Sequence, residues 1–227
     1  MLGHLDLVLK RKAILLNLSA LAHAIPIFSK SNYLITDLIS PNYQGELISQ
    51  FPSIPFFEMK KDVSHTDTSR LLTFQFLTTH PINKKNLSPV AFSPTWYRFI
   101  QNLTQDEYIF WLSKLVGIDL TSTHWQLEFA CYRNGHWLDA HYDQQKNKIL
   151  TQLFYFNYYW DITWGGHLHI LHPQNTSLSL LTIAPTINYS VITLAKKDAW
   201  HKVGKVQDHA KQPRLVMGLQ FYSTFPF

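Results

Sequence analysis

Cysteine is almost missing: Cys131 stands alone among 227 residues, which excludes an internal disulfide framework and a cysteine-rich zinc site. On a strand-like run it is expected as a small buried residue. Charge is sparse too. Asp, Glu, Lys and Arg make up 15% of the chain, and the net charge of +5 comes from scattered Lys and Arg. That balance leaves room for an anionic substrate and makes no case for nucleic acid. No run is long and apolar enough to cross a bilayer, and neither a repeat nor a low-complexity tract is present. What the chain does have is a 46% hydrophobic and 15% aromatic content, enough core-forming material for a single domain over residues 1–227.

The N-terminus offers two readings. Lys10-Arg11-Lys12 precedes a largely apolar run at 13–21, and Ala22-His23-Ala24 has the A-x-A form of a signal-peptide cleavage site. Asn17 and Ser19 break that run, however, and a mostly apolar stretch at 1–9 comes before the basic cluster. An amphipathic helix packed on the domain, and a cytoplasmic location, are expected over a secretory signal at 1–24.

Further on, residues 32–39 alternate as a strand. Ser40-Pro41 reads as N-cap and first helical position of a helix through Gln50. Pro52, Pro55 and the polar stretch 60–69 mark loops, residues 71–78 a second strand, and 80–89 a polar connection. Ser93-Pro94 opens another helix. Thr104-Gln105-Asp106-Glu107 has the form of a capping box; the helix after it places Tyr108, Trp111, Leu112 and Leu115 on an expected core face, with Gly117 as its stop. From Trp125 the hydrophobic period changes from 3.6 to 2. Strand-like runs recur at 125–132, 138–143, 150–157, 167–171, 188–194 and 214–222. This pattern predicts a mainly β fold with flanking helices (α+β): a helical and strand support region at 1–122 and a closed or double-sheet core at 123–227.

At the centre of that core lies His141-Tyr142-Asp143. Residues i and i+2 of a strand share a face, so imidazole and carboxylate would project together. They make two-thirds of a 2-His-1-carboxylate site, which leaves open positions on non-haem Fe(II). His201 is the best candidate for the third ligand. An H-x-D alone is common, and the order of parts around it carries the argument. His167 and His169 share a strand face, but if Leu168 and Ile170 point inward both lie outside any pocket.

From about Ser93 to Phe227 the chain resembles the iron(II)/2-oxoglutarate-dependent oxygenases, in their prolyl 4-hydroxylase-like branch. The motifs, in order, are Tyr132, His141-Tyr142-Asp143, the Y-x-N-x-x-W run of Tyr155, Asn157 and Trp160, Gly165-Gly166, His201-Lys202-Val203 and Arg214. The resemblance implies a double-stranded β-helix (jelly-roll) core that binds iron through His141, Asp143 and His201. It also implies Fe(II), 2-oxoglutarate and O2 as cofactor and cosubstrates, with ascorbate a further reductant in some members. Arg214 would hold the distal carboxylate of 2-oxoglutarate by paired charge-assisted hydrogen bonds. Many relatives carry Ser or Thr two residues after this Arg, where Val216 stands here, so Tyr155 and Tyr132 are the expected phenolic donors. His136, Trp137 and Trp164 are candidate substrate contacts, and Trp164 and Trp200 could instead be core.

The implied reaction is hydroxylation of an unactivated C–H bond in a small metabolite or amino-acid-like substrate, coupled to decarboxylation of 2-oxoglutarate to succinate and CO2. Asp143 favours hydroxylation over halogenation, because halogenating relatives carry Gly or Ala there. After Arg214 there is no further Arg or Lys, unlike the DNA-repair dealkylases, so a nucleic-acid partner is not expected. The alternatives are a peptidyl, prolyl-type hydroxylase and, from another class, a non-catalytic metal-binding jelly-roll module.

Overall fold

Alternating side chains need two different environments, and the strands from Trp125 onward find them between a helical layer and a cavity. A computed structural model describes residues 15–52, 58–61, 69–78, 92–143 and 147–223. Residues 1–14, most of the polar stretch 60–69 and the connection 80–89 lie outside the described residues, and with them most of the secretory-signal question. In chain order the elements are α1 (Ser19–Ala22), β1 (Ile25–Ile27), α2 (Phe28–Ser31), β2 (Asn32–Thr36), α3 (Pro41–Ser49), β3 (Glu58–Lys61), β4 (Ser69–Thr78), α4 (Pro94–Leu103) and α5 (Asp106–Val116). They continue with β5 (His124–Tyr132), β6 (Trp137–His141), β7 (Lys148–Tyr155), a 3-10 turn (Ile162–Trp164), β8 (Leu168–His172), β9 (Asn175–Ile183), β10 (Tyr189–Leu194), β11 (His201–Val203) and β12 (Arg214–Tyr222).

All ladders between these strands are antiparallel. The order is β1-β2-β10-β7-β12-β5-β4-β6-β11-β8-β9, with β3 on β4. This is the strand-rich jelly-roll core with flanking helices expected of the sequence. The strands β2 and β4, from the first half of the chain, join the same sheet on either side of β10-β7-β12-β5.

The strand β12 sits at the centre, with Arg214 opposite Tyr132 of β5 and Val216 opposite both Ala130 of β5 and Tyr155 of β7. Its even-numbered residues therefore share a face with Glu128, Ala130, Tyr132, Thr151, Leu153 and Tyr155. The odd-numbered face, with Phe129 and Phe154, packs against Trp96, Phe99, Ile100, Tyr108 and Leu112 of α4 and α5. Trp96 lies 5.4 Å from Phe129 and 4.6 Å from Phe156, ring to ring.

Several local expectations need correction. The run 13–21 is not one helix: Leu16 bridges to Ile39 in extended backbone and only Ser19–Ala22 turn as helix. Asn17 explains the change, because its N–H donates to the Leu38 carbonyl at 2.8 Å and its side chain accepts from Ser19 at 2.7 Å. Thr104 makes no capping box. Its hydroxyl donates back to the carbonyls of Ile100 and Gln101, ending α4, and Gln105 is the N-cap of α5. The buried face of α5 is Tyr108, Ile109, Leu112 and Val116, while Trp111 is 40% exposed. Gly117 does end α5, in left-handed backbone at φ +69°. The strands β1, β3, β9 and β11 are not among those expected, and β3 takes the start of the stretch read as a loop at 60–69; β9 is mostly exposed and lacks an alternating apolar signal.

Candidate active site

The strand β6 ends at His141, and β11 begins at His201 directly opposite it. The two imidazole rings lie 4.3 Å apart, centroid to centroid. Asp143 falls two residues beyond the end of β6, so loop geometry and not strand alternation aims its carboxylate. One ligand atom from each of His141, Asp143 and His201 lies within 4.8 Å of the other two, an arrangement that could hold a metal ion.

Both histidines are set by the same local device. His141 Nδ1 donates to the carbonyl of Asp139 at 2.8 Å, and His201 Nδ1 to that of Ala199 at 2.9 Å. A carbonyl can only accept, so each Nδ1 carries a proton, and Nε2 is the ring atom left to meet a metal. His201 is buried, and burial, with His141 beside it, pushes its pKa down to about 4; the ring is neutral at physiological pH.

Asp143 is held from one side. Its Oδ2 accepts the Thr151 hydroxyl at 2.7 Å and pairs with Lys148 Nζ at 3.1 Å. Burial raises the pKa of this carboxyl, but Lys148, His201 and Thr151 together outweigh that and hold it below the usual carboxylate value. The carboxylate is thus ionised, with Oδ1 left over. Two imidazoles and one carboxylate suit Fe(II) with open positions.

These groups open on a cavity of about 510 Å³. Its walls include Tyr132, Arg214, Val216, Gly218 and Gln220 beside the three metal-ligating candidates, and also Glu128, Tyr142, Lys148, Thr151 and Leu168. Arg214 is 1% exposed and pairs with no carboxylate among the described residues. Its guanidinium carbon sits 4.6 Å from the Tyr132 ring centre and 5.2 Å from that of Tyr155, while its Nε and Nη1 and the Tyr155 hydroxyl have no hydrogen-bond partner among the described residues. Burial pushes both phenols up to about 12 against the opposing pull of Arg214, so both stay protonated donors. A buried cation with unsatisfied N–H groups is costly unless an anion meets it. These residues fit a dicarboxylic 2-oxo acid whose far carboxylate reaches Arg214.

Residues 127–222 match the family model described as the 2OG-Fe(II) oxygenase superfamily. These residues are a 2OG-Fe(II) oxygenase domain. The protein is accordingly a dioxygenase that uses Fe(II), 2-oxoglutarate and O2. Among solved structures, a prolyl-4-hydroxylase from Pseudomonas putida is similar at a TM-score of 0.60 and 14% identity, over 94% of this chain and 98% of that one. A Trichoplax adhaerens prolyl hydroxylase, solved in complex with a hypoxia inducible factor peptide fragment, gives 0.59 and 14% over 94% and 89%. A 2OG-Fe(II) oxygenase-family oxidoreductase from Burkholderia pseudomallei gives 0.62 and 11% over 92% of each chain. At these identities the likeness is one of fold. A search of curated protein sequences finds no match.

Other expected site residues lie elsewhere. His136, Trp137, Trp164 and Tyr155 do not line the oxygenase cavity, although Tyr155 lies against Arg214, which does. His136 is buried in the turn before β6, Trp137 lines a separate shallow groove with Lys202 and Lys205, and Trp164 packs edge-on against Trp160 at 5.3 Å. Leu168 faces the cavity as expected, and His169 faces away toward Thr182. Trp200 packs edge-on against Tyr142 at 5.1 Å, backing a cavity residue. Sequence reasoning missed Lys148, Thr151 and Glu128. Thr151 could have been found by stepping back in twos along β7 from Tyr155, and Glu128 likewise along β5 from Tyr132. Lys148 carries no such signal. No described helix is long and apolar enough to cross a membrane.

Proposed function

We propose that this dioxygenase hydroxylates an unactivated C–H bond of a small, amino-acid-like metabolite, with His141, Asp143 and His201 as the iron ligands and Arg214, Tyr155 and Tyr132 as the seat of 2-oxoglutarate. The observation that carries this reading is the pairing, in one cavity, of a metal-ligating group with a buried guanidinium that lacks an anion. When bound, iron with 2-oxoglutarate and O2 supplies the oxidising chemistry, and succinate and CO2 leave.

The protein's own groups do the arranging. Asp139 and Ala199 hold the two imidazoles by Nδ1, and Thr151 and Lys148 hold the ligand carboxylate by Oδ2. Arg214 receives the distal carboxylate while the Tyr155 hydroxyl is free to donate to it. The apolar walls Leu138, Leu153, Leu168, Val203 and Val216 limit water around the reacting carbon. Beside its apolar groups the cavity wall carries the polar side chains of Glu128, Lys148 and Gln220, a lining that suits an amino-acid-like guest better than a purely apolar one. We read residues 1–227 as one oxygenase domain acting in the cytoplasm, with 1–122 supporting the core. The second reading, a prolyl-type peptidyl substrate, is favoured by the prolyl hydroxylases among the similar folds.

A succinate-release screen over free amino acids and short proline-containing peptides tests the choice. Turnover on free amino acids alone is the expected result, and turnover on peptides alone overturns it. Anaerobic addition of Fe(II) and 2-oxoglutarate should produce a visible metal-to-ligand charge-transfer band; folded protein without that band contradicts the whole assignment.

A further inference from the structure

After β7 the chain passes beside the first residues of β12, and Asn157 is the point of contact. Its side chain is buried, at 2% exposure. The amide Nδ2 donates to the carbonyl of Pro213 at 2.8 Å, and Oδ1 accepts the backbone N–H of Leu215 at 3.0 Å. Those two residues flank Arg214. One carboxamide thus ties the peptide groups on both sides of the arginine, as donor to one and acceptor from the other, a combination that a carboxylate or an apolar side chain of the same size cannot supply. Asn157 is itself anchored, since its carbonyl accepts the Ile187 N–H at 2.9 Å and the neighbouring Phe156 N–H donates to Leu215 at 3.0 Å.

Gly166 lies near the stem of the same arginine. Gly166 has φ +65°, and a Cβ there would lie 3.0 Å from Val206 Cγ2, 3.1 Å from Trp160 Cζ2 and 3.6 Å from Arg214 Cδ. Trp160 is pinned by its indole N–H, which donates to the Gly165 carbonyl at 2.7 Å. The head of Arg214 lies against the Tyr132 and Tyr155 rings, with Nε and Nη1 unpartnered among the described residues. With so little fixing the head, placement of the guanidinium must come largely from its root. A long side chain on a loose root would lose bidentate geometry, which tolerates displacements of only about 0.5 Å.

We propose that Asn157 is a positioning residue for Arg214: its carboxamide sets the backbone from which the guanidinium meets the distal carboxylate of 2-oxoglutarate. The inference rests on the reading of Arg214 given above.

Calorimetric titration of full-length, Mn(II)-loaded protein separates the two ideas, with 2-oxoglutarate as one ligand and oxalate as the other. Oxalate can chelate the metal but has no distal carboxylate for Arg214. Asn157→Ala should weaken 2-oxoglutarate binding about tenfold and leave Mn(II) and oxalate affinities within about twofold. Equal losses for both ligands, or no loss for either, overturns the proposal, because a general structural defect would not discriminate. If Asn157→Ala does not fold, Asn157→Ser decides by the same comparison, since its hydroxyl can serve one of the two peptide groups. Arg214→Ala, run alongside, should lose 2-oxoglutarate more heavily and oxalate not at all. If that variant keeps its 2-oxoglutarate affinity, the role of Arg214 is wrong. If it loses affinity and Asn157→Ala does not, only the positioning inference is wrong.

Discussion

The two faces of β5, β7 and β12 have opposite characters. Toward the helices they present Trp125, Leu127, Phe129, Cys131, Leu150, Phe154, Met217, Leu219 and Phe221, all buried in one apolar cluster. Toward the cavity the same strands present Glu128, Ala130, Tyr132, Thr151, Leu153, Arg214, Val216, Gly218 and Gln220. Even the polar exception on the helix side is satisfied. Gln152 accepts the Tyr108 hydroxyl at 2.6 Å and donates to Ser190 at 3.0 Å, which in turn donates to the Leu153 carbonyl. On the cavity side Arg214 and Tyr155 keep buried polar atoms without partners among the described residues. Each such atom costs about 1–3 kcal/mol. A fold selected only for stability would remove them; a site awaiting a carboxylate needs them. One face makes the protein stable, and the other gives up some of that stability for binding.

The sharpest break in this contrast is Asp143→Ala. It removes a metal-ligating candidate from the cavity face and should abolish succinate formation while the thermal midpoint moves little, as activity assay and calorimetry on one preparation would show. The opposite break is Phe129→Ala, one residue from Glu128 but on the other face. Its ring packs edge-on to Trp96 at 5.4 Å, so truncation should cost about 3–5 kcal/mol in urea unfolding. The folded fraction should bind 2-oxoglutarate as tightly as before. A Phe129 variant that loses cosubstrate affinity at full foldedness would show that the two faces are not independent.

That independence also explains how much could be read beforehand. Period-two alternation made β5, β7, β10 and β12 legible, because each strand buries two unlike faces. The metal candidates were legible from H-x-D and a distant His, and Arg214 from its place at the head of a strand. Alternation failed wherever a residue was aimed by something other than a ladder. Asp143 lies past its strand, and Lys148 meets it across a turn that no spacing rule predicts. Thr104 resembled a cap but ends the preceding helix, because α4 and α5 are too close in sequence for it to serve both. Trp111 looked like core at i+3 from Tyr108, yet the buried stripe runs through Ile109 and Val116, and only the packed neighbour chooses between two such stripes. The tryptophans Trp137 and Trp164 looked like pocket walls because aromatic size gives no direction.

Smaller effects sharpen the comparison at the metal site itself. In metal-free protein His201 is protonated near pH 4, whereas in the unfolded chain it takes its proton near 6.5. Between those values the unfolded state holds more protons, so stability should fall as pH drops through this window, by at most about 1.4 kcal/mol per pH unit. Urea midpoints from pH 7 to pH 4 would show the slope, and His201→Gln should flatten it; an unchanged slope in that variant would assign the acid sensitivity to other groups. Asp143, whose pKa is also depressed, adds a component of the same sign only at the acid end.

The mildest test is Thr151→Val. It keeps the shape and removes the hydroxyl that donates to Asp143 Oδ2 at 2.7 Å. Lys148 still pairs with the same oxygen at 3.1 Å, but an ammonium on a flexible stem fixes a carboxylate's rotation less firmly than a short hydroxyl on a strand. Ordering of the ligand carboxylate should fall, and with it metal affinity by about tenfold, read from Fe(II) or Mn(II) titration. The unfolding midpoint should barely move, because a β-branched residue is kept on β7. If instead stability falls and metal affinity holds, Thr151 belongs with the helix-facing residues in function although it faces the cavity.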